Sequence, residues 1–260
     1  MISRRTVLIG AAAAVAATAG GIGIAAYELQ RPAPPLALVY RGPAASPGCP
    51  EAVAALLSST ATRLRVAYVG PHERLPMTAE TLGRAAIFAQ PGGGDVEQAW
   101  PRLRKQAAVV RDWVRGGGVY LGFCLGAYLA GKPGYDLIDG TATQYIGMPE
   151  ATVSTTRDTT VAVTWRGRRS TLFFQDGPTF RMRSSTPSFV LATYPGGEPA
   201  ALVTTYGRGR IGLTGPHPEA DESWFHPPKL PSDGAIHPEL GHDLIETTLA
   251  TPVPAAPPAS

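Results

Sequence analysis

The stretch Gly122-Phe-Cys124-Leu-Gly126 sets a cysteine between glycines at minus two and plus two. This is the spacing of a nucleophile elbow, a strained strand-to-helix turn that lifts one reactive side chain above a sheet. The glycines are a steric requirement, because a Cβ at either position would collide with the neighbouring strand or helix. Val119–Phe123 reads as the strand and the small-residue run after Cys124 as the helix. N–H groups at the start of that helix point at the sulfur and favour thiolate over thiol. The N–H of Leu125 is placed to hold an oxyanion developing on an attacked carbonyl. The competing reading is a buried core cysteine, since cysteine is among the most commonly buried residue types.

A thiol nucleophile needs a general base, and that base needs an orienting carboxylate. His217-Pro-Glu219 follows an apolar run that reads as a strand, so both side chains fall at one strand end. His217 would take the thiol proton and Glu219 would fix its tautomer. His226, His237 and His242 are rivals, but they lie in Pro-rich stretches or on the last helix, without a partnered carboxylate at a strand end. No histidine–cysteine group has zinc spacing, so the reading includes no metal and no cofactor. Cys49, the other cysteine, offers a different account of Cys124. Two cysteines in an exported chain suggest one disulfide, although Cys49 also reads simply as a helix-start residue.

The elements that must position these groups follow from the apolar pattern. Short, unalternating apolar runs at 36–40, 64–70, 85–91 and 119–123 read as strands buried on both faces. Between them, 50–59 and 78–85 read as helices. A longer helix is expected from about Pro101 to Arg115, with Leu103, Ala107, Val110 and Val114 on one face and Gly116–Gly118 as its stop. This alternation argues for a parallel sheet with helices on both sides. After Gly131 the texture changes to alternating segments separated by Gly-rich turns, beginning with 151–157 and running to 215, as antiparallel hairpins would read. A final helix is expected from Pro238 to Ala250. Gly207–Gly212 resembles an adenylate-binding loop but falls in a hairpin, and it reads as a turn.

The net charge is +3, and the arginines are scattered without aromatic interleaving. A nucleic-acid surface needs a concentrated basic stripe, so no nucleic-acid partner is expected. At the N-terminus, Arg4 and Arg5 precede an uncharged run from Thr6 to Tyr27. A charged start followed by an apolar run is an export signal, and the paired arginines point to the Tat route. Ala17-Thr-Ala19 offers a cleavage site, while an uncut run would be long enough for membrane attachment. The expected organisation is a signal or anchor at 1–27, a Pro-rich linker at 28–35, one domain at 36–250 and a disordered tail at 251–260.

The blocks "VYRGPAAS", "PGGGD", "GFCLGAYLAG" and "GPHPE", in that order across about 36–225, resemble the class I glutamine amidotransferase-like superfamily. They are most similar to the amidotransferase-like N-terminal domain of biotin-protein ligases. The resemblance implies an α/β fold, a flavodoxin-like three-layer sandwich with a mostly parallel central sheet and an inserted antiparallel hairpin region. It also implies a Cys–His–Glu triad, carried here by Cys124, His217 and Glu219. The loop Pro91–Gly94 matches the family's oxyanion loop, so the N–H of Gly93 would join that of Leu125. Tyr40, Arg41, Gly42, Gly92, Gly94 and Asp176 are candidate substrate-binding positions. The function this supports is an exported cysteine-dependent hydrolase or amidase-like enzyme, acting on a small-molecule or peptide amide through an acyl-thioester. The alternative is a catalytically silent binding or regulatory module on the same scaffold.

Overall fold

Alternation along the buried strands decides the layering of this molecule. A computed structural model describes residues 33–226 and 229–253. The expected signal or anchor, residues 28–32 of the linker and residues 254–260 of the tail lie outside these. In chain order the first elements are β1 (Leu36–Tyr40), α1 (Cys49–Ser58), β2 (Arg65–Val69), α2 (Ala79–Gly83), β3 (Ile87–Gln90), α3 (Val96–Leu103), α4 (Ala107–Arg115), β4 (Val119–Phe123) and α5 (Leu125–Leu129). Then come β5 (Gly140–Gln144), β6 (Thr159–Trp165), β7 (Arg168–Phe174), β8 (Pro178–Met182), β9 (Ser188–Thr193), β10 (Pro199–Tyr206), β11 (Gly209–Thr214) and α6 (Pro238–Ala250).

Successive strand residues face opposite sides of a sheet. Ala37, Val39, Ile87, Ala89, Leu121 and Phe123 therefore share one core with Val53 and Leu57 of α1 and Leu244 and Ile245 of α6. Leu38, Phe88 and Tyr120 face the other way, against Leu82 of α2, Leu103 of α3, Val110 and Val114 of α4, and Leu129 of α5. Helices thus cover both faces, and the three layers are those of a flavodoxin-like α/β fold.

Nine strands form the main sheet, in the order β2-β1-β3-β4-β11-β10-β9-β6-β7. The first five are mutually parallel. The remaining four continue the same sheet by antiparallel pairing. The hairpin region is therefore mostly an extension of the central sheet. Only β5 and β8 stand apart, as a two-stranded antiparallel ribbon.

Two sequence expectations are corrected here. The helix expected over 101–115 is two helices, α3 and α4, joined by a 3-10 turn at Arg104–Gln106. Pro101 lies inside α3, and the α-helical ladder runs past it as far as the Arg104 N–H, which donates to the Trp100 carbonyl before the chain tightens into the 3-10 turn. Residues 151–157 form no strand. Conversely β5 escaped notice, because its pattern of polar and small residues, "GTATQ", leaves it half-exposed.

Candidate functional site

Cys124 sits between β4 and α5 at φ 48°, ψ −104°. A non-glycine residue with positive φ is strained by about 1–3 kcal/mol, and the surrounding backbone must hold it there. It does so by close approach. A Cβ on Gly122 would come within 2.6 Å of the Gly126 carbonyl oxygen, and one on Gly126 within 2.0 Å of the Gln90 carbonyl oxygen. The Cys124 N–H donates to the Thr214 carbonyl at 2.9 Å, tying the elbow to the end of β11. Because β11 runs parallel beside β4, the two strands deliver their following loops to the same edge of the sheet.

That register brings His217 to Cys124. Thr214 Oγ1 donates to the Pro216 carbonyl, and the His217 N–H donates to the Phe173 carbonyl at 2.9 Å. The ring of His217 packs against Phe173 and Trp224. Its Nδ1 lies 2.8 Å from Glu219 Oε1. A carboxylate only accepts, so Nδ1 carries the hydrogen and Nε2 is left for another partner. Both side chains are buried, His217 at 3% exposure and Glu219 at 0%. Burial works against the charged imidazolium, but the Glu219 carboxylate and then the Cys124 sulfur outweigh it and push the His217 pKa up to about 10. The sulfur also reaches the Gln175 carbonyl, to which the thiol donates at 3.5 Å.

Gly92 lies at the meeting point of these groups. A Cβ there would stand 3.0 Å from His217 Cε1, 3.3 Å from Cys49 Sγ and 3.8 Å from Cys124 Cβ. Gly93 packs directly on Leu125, whose Cδ2 would be 2.6 Å from an added Cβ. The two backbone N–H groups assigned to an oxyanion therefore belong to segments in contact. Leu125 opens α5, so its N–H has no partner within the helix.

A cavity of about 710 Å³ opens over the elbow, lined among others by Cys124, Leu125, Gly93, Gly94, Tyr128 and Asp176. Asp176, also at positive φ, is pinned by two contacts. Its carbonyl accepts from the Tyr128 hydroxyl at 3.0 Å, and its Oδ2 accepts from Gln144 Nε2 at 2.9 Å. Burial, and secondarily the charge of Asp95, raise its carboxyl above the ordinary range.

Four candidate positions are not brought to the cavity wall. Arg41 is held outside by Glu73 at 2.7 Å and Glu51 at 3.2 Å, and it stacks over Tyr68 at 3.7 Å. Tyr40 is buried in the core. Gly42 packs on the Tyr40 hydroxyl and Pro71, and Gly92 lies beneath the wall against His217. Among the rival histidines, His237 does have a carboxylate partner, Glu239 at 2.7 Å, but the pair is exposed at the start of α6. Gln175, in the candidate segment Gln175–Gly177, lines the cavity with Asp176, whereas Tyr128, Gln144 and Ser46 also line it and were missed in the sequence. Tyr128 alone had a signal, four residues after the elbow cysteine and hence one helical turn along α5.

Residues 36–135 match the family described as biotin-protein ligase, N terminal. Cys124 and the Pro91–Gly94 loop fall inside that match, whereas His217 and Glu219 lie beyond it. In three dimensions the chain is similar to a chain of the PurLQS structure from Thermotoga maritima, with a TM-score of 0.54 at 15% identity over 84% of this chain and 99% of that one. It is also similar to protein STM1381 from Salmonella typhimurium LT2, with a TM-score of 0.49 at 12% identity over 82% of this chain and 98% of that one. No curated protein sequence matches the chain. The family match thus covers the elbow half of the chain, and the structural similarity supports the three-layer α/β fold.

Proposed function

We propose that this amidotransferase-like chain is a cysteine-dependent amide hydrolase, with Cys124 as nucleophile, His217 as general base and acid, and Glu219 as the carboxylate that orients His217. The observation carrying this reading is the meeting of Cys124 and the buried His217–Glu219 pair at Gly92, directly beneath a cavity that Cys124 lines. The Cys124 sulfur would attack the amide carbonyl carbon, forming a C–S bond. The carbonyl oxygen would gather negative charge opposite the N–H groups of Gly93 and Leu125. His217 carries the proton drawn from the thiol and gives it to the nitrogen as the C–N bond breaks. An amine leaves, and an acyl-thioester stays on Cys124. Water, deprotonated by His217, then adds to the thioester carbon, and the C–S bond breaks to release the acid. An imidazole raised to about pKa 10 holds a proton through neutral pH, as protonation of the departing amine requires.

Export by the twin-arginine route belongs to the same proposal and rests on Arg4 and Arg5 ahead of the apolar run. The catalytic part is tested by alkylation of the reduced, folded chain. Iodoacetamide at pH 6 to 7 should label Cys124 well ahead of Cys49. His217→Ala should slow that labelling by about 10²-fold or more, the usual size of a lost general base. Glu219→Gln should slow it less, because it only orients and stabilises the imidazolium. An unreactive Cys124 in the folded wild-type chain would sink the hydrolase reading.

A further inference from the structure

Cys49 is a nucleophilic side chain beside the elbow that the proposed hydrolysis leaves idle. It opens α1, and Cys124 caps α5, so two helix starts meet across the Pro91–Gly94 loop. The point where a Gly92 Cβ would stand lies 3.3 Å from Cys49 Sγ and 3.8 Å from Cys124 Cβ. Gly92 has no side chain there to hold the two cysteines apart, and His217 Cε1 flanks the same point at 3.0 Å. Both thiols are free in the structure.

The two sulfurs differ in access. Cys124 lines the cavity and Cys49 does not. Burial first, then the charges of Glu219 and Cys124, push the Cys49 thiol well above its ordinary range. Cys49 is therefore a protonated thiol shielded from reagents that enter the cavity, and its nearest electrophile would be an oxidised Cys124. A thiol held beside the reactive sulfur can capture a sulfenic acid before a second oxidant molecule arrives, its proximity offsetting its weak acidity.

We propose that Cys49 is the resolving thiol for oxidised Cys124, making the floor of the cavity a reversible oxidation site for hydroperoxides. A hydroperoxide entering the cavity transfers its terminal oxygen to the Cys124 sulfur. The O–O bond breaks, an S–O bond forms, and the departing alkoxide or hydroxide takes the proton of the His217 imidazolium. Cys124 has then lost two electrons to the peroxide and is a sulfenic acid. The Cys49 sulfur attacks it, an S–S bond forms, the S–O bond breaks, and the Cys49 proton leaves with the hydroxide as water. A dithiol reverses the bridge by thiol–disulfide exchange. This goes beyond hydrolysis and shares with it the reactive sulfur of Cys124 and the His217 imidazolium.

The test exposes the reduced full chain to hydrogen peroxide and reads intact and peptide masses without reduction. The expected result is loss of two hydrogens, a Cys49–Cys124 cross-linked peptide, loss of iodoacetamide labelling and its return after dithiothreitol. In Cys49→Ser the same exposure should give sulfinic or sulfonic Cys124, with labelling lost for good. Wild-type chain that over-oxidises at Cys124 while Cys49 stays free would overturn the proposal, as would a Cys124 that is alkylated but ignores peroxide. Either of those outcomes leaves the hydrolase reading standing. Inertness to both reagents removes both. The wild-type masses decide the matter even where the serine variant folds poorly.

Discussion

The elbow stands on two contacts that leave no room for a methyl group. Gly126 is the tighter, with a would-be Cβ at 2.0 Å from a backbone oxygen that cannot swing aside. Gly126→Ala should therefore destabilise the fold by about 3 kcal/mol or more, above the ~1–3 kcal/mol typical of overpacking, and a urea midpoint would show it. Ala at Gly94, where an added Cβ meets nothing within 4 Å, should leave the midpoint within about 0.5 kcal/mol, as open positions do. The buried pair carries its own pH signature. His217 is raised to about 10 in the folded chain, from ~6.5 when unfolded. Its contribution to stability is then complete below about pH 6.5 and is lost as pH rises through 10. In Glu219→Gln the main raising charge is gone. Chemical denaturation should show wild type ahead by a few kcal/mol near pH 6.5, on the scale of breaking a buried pair, with the gap closing toward pH 10. A gap that widens over that interval would mean that His217 is not the protonated partner of Glu219.

At the scale of elements, the last helix is fastened to the hairpin extension by one carboxylate. Asp243 of α6 accepts from Trp165 Nε1 and Arg166 Nε, both at 2.7 Å. Burial would lift its carboxyl, but the bonds to Arg166 and Trp165 prevail and hold it below the ordinary range. Its contribution is thus present above the unfolded pKa near 4 and is lost as pH falls further. Asp243→Ala should cost about 1–2 kcal/mol at neutral pH, less than a fully buried charged hydrogen bond because Arg166 is half-exposed. The loss should be smaller at pH 3, read from paired denaturation curves. The strands and helices that carry the elbow were legible because each is a buried run of the right length. The ribbon β5–β8 was not, because a half-exposed strand of Gly, Thr, Ala and Gln has no apolar alternation to announce it. That ribbon supplies Gln144 and Ala142 to the cavity wall.

The molecule as a whole joins five parallel strands to four antiparallel ones in a single sheet. Helices on both faces close the core, and the cavity opens at the carboxyl edge of the parallel part, where α/β folds place ligands. Among the described residues no helix is long and apolar enough to cross a membrane. The export proposal therefore rests on the N-terminal sequence. Replacing Arg4 and Arg5 by lysine should leave the chain in the cytoplasm, as cell fractionation with an immunoblot would show. Unchanged export of that variant would remove the Tat assignment.

By itself the sequence determined what is local. Gly122 and Gly126 announce a turn that only small residues permit, and His217 with Glu219 two residues on announces a pair that one strand end can hold. Buried apolar runs fix the parallel half of the sheet, because burial on both faces excludes polar residues. Proximity across the chain was decided by tertiary structure alone. Cys124 and His217 are ninety-three positions apart, and they meet because β4 and β11 are neighbours in a sheet whose order no local pattern records. Arg41 looked like a binding residue until Glu73 and Glu51 were seen to hold it away. Cys49 looked like a helix start, which it is, and the fold also sets its sulfur against Gly92, next to Cys124. Spacing along the backbone carries the steric demands of a turn, whereas contact between distant segments depends on how whole layers pack.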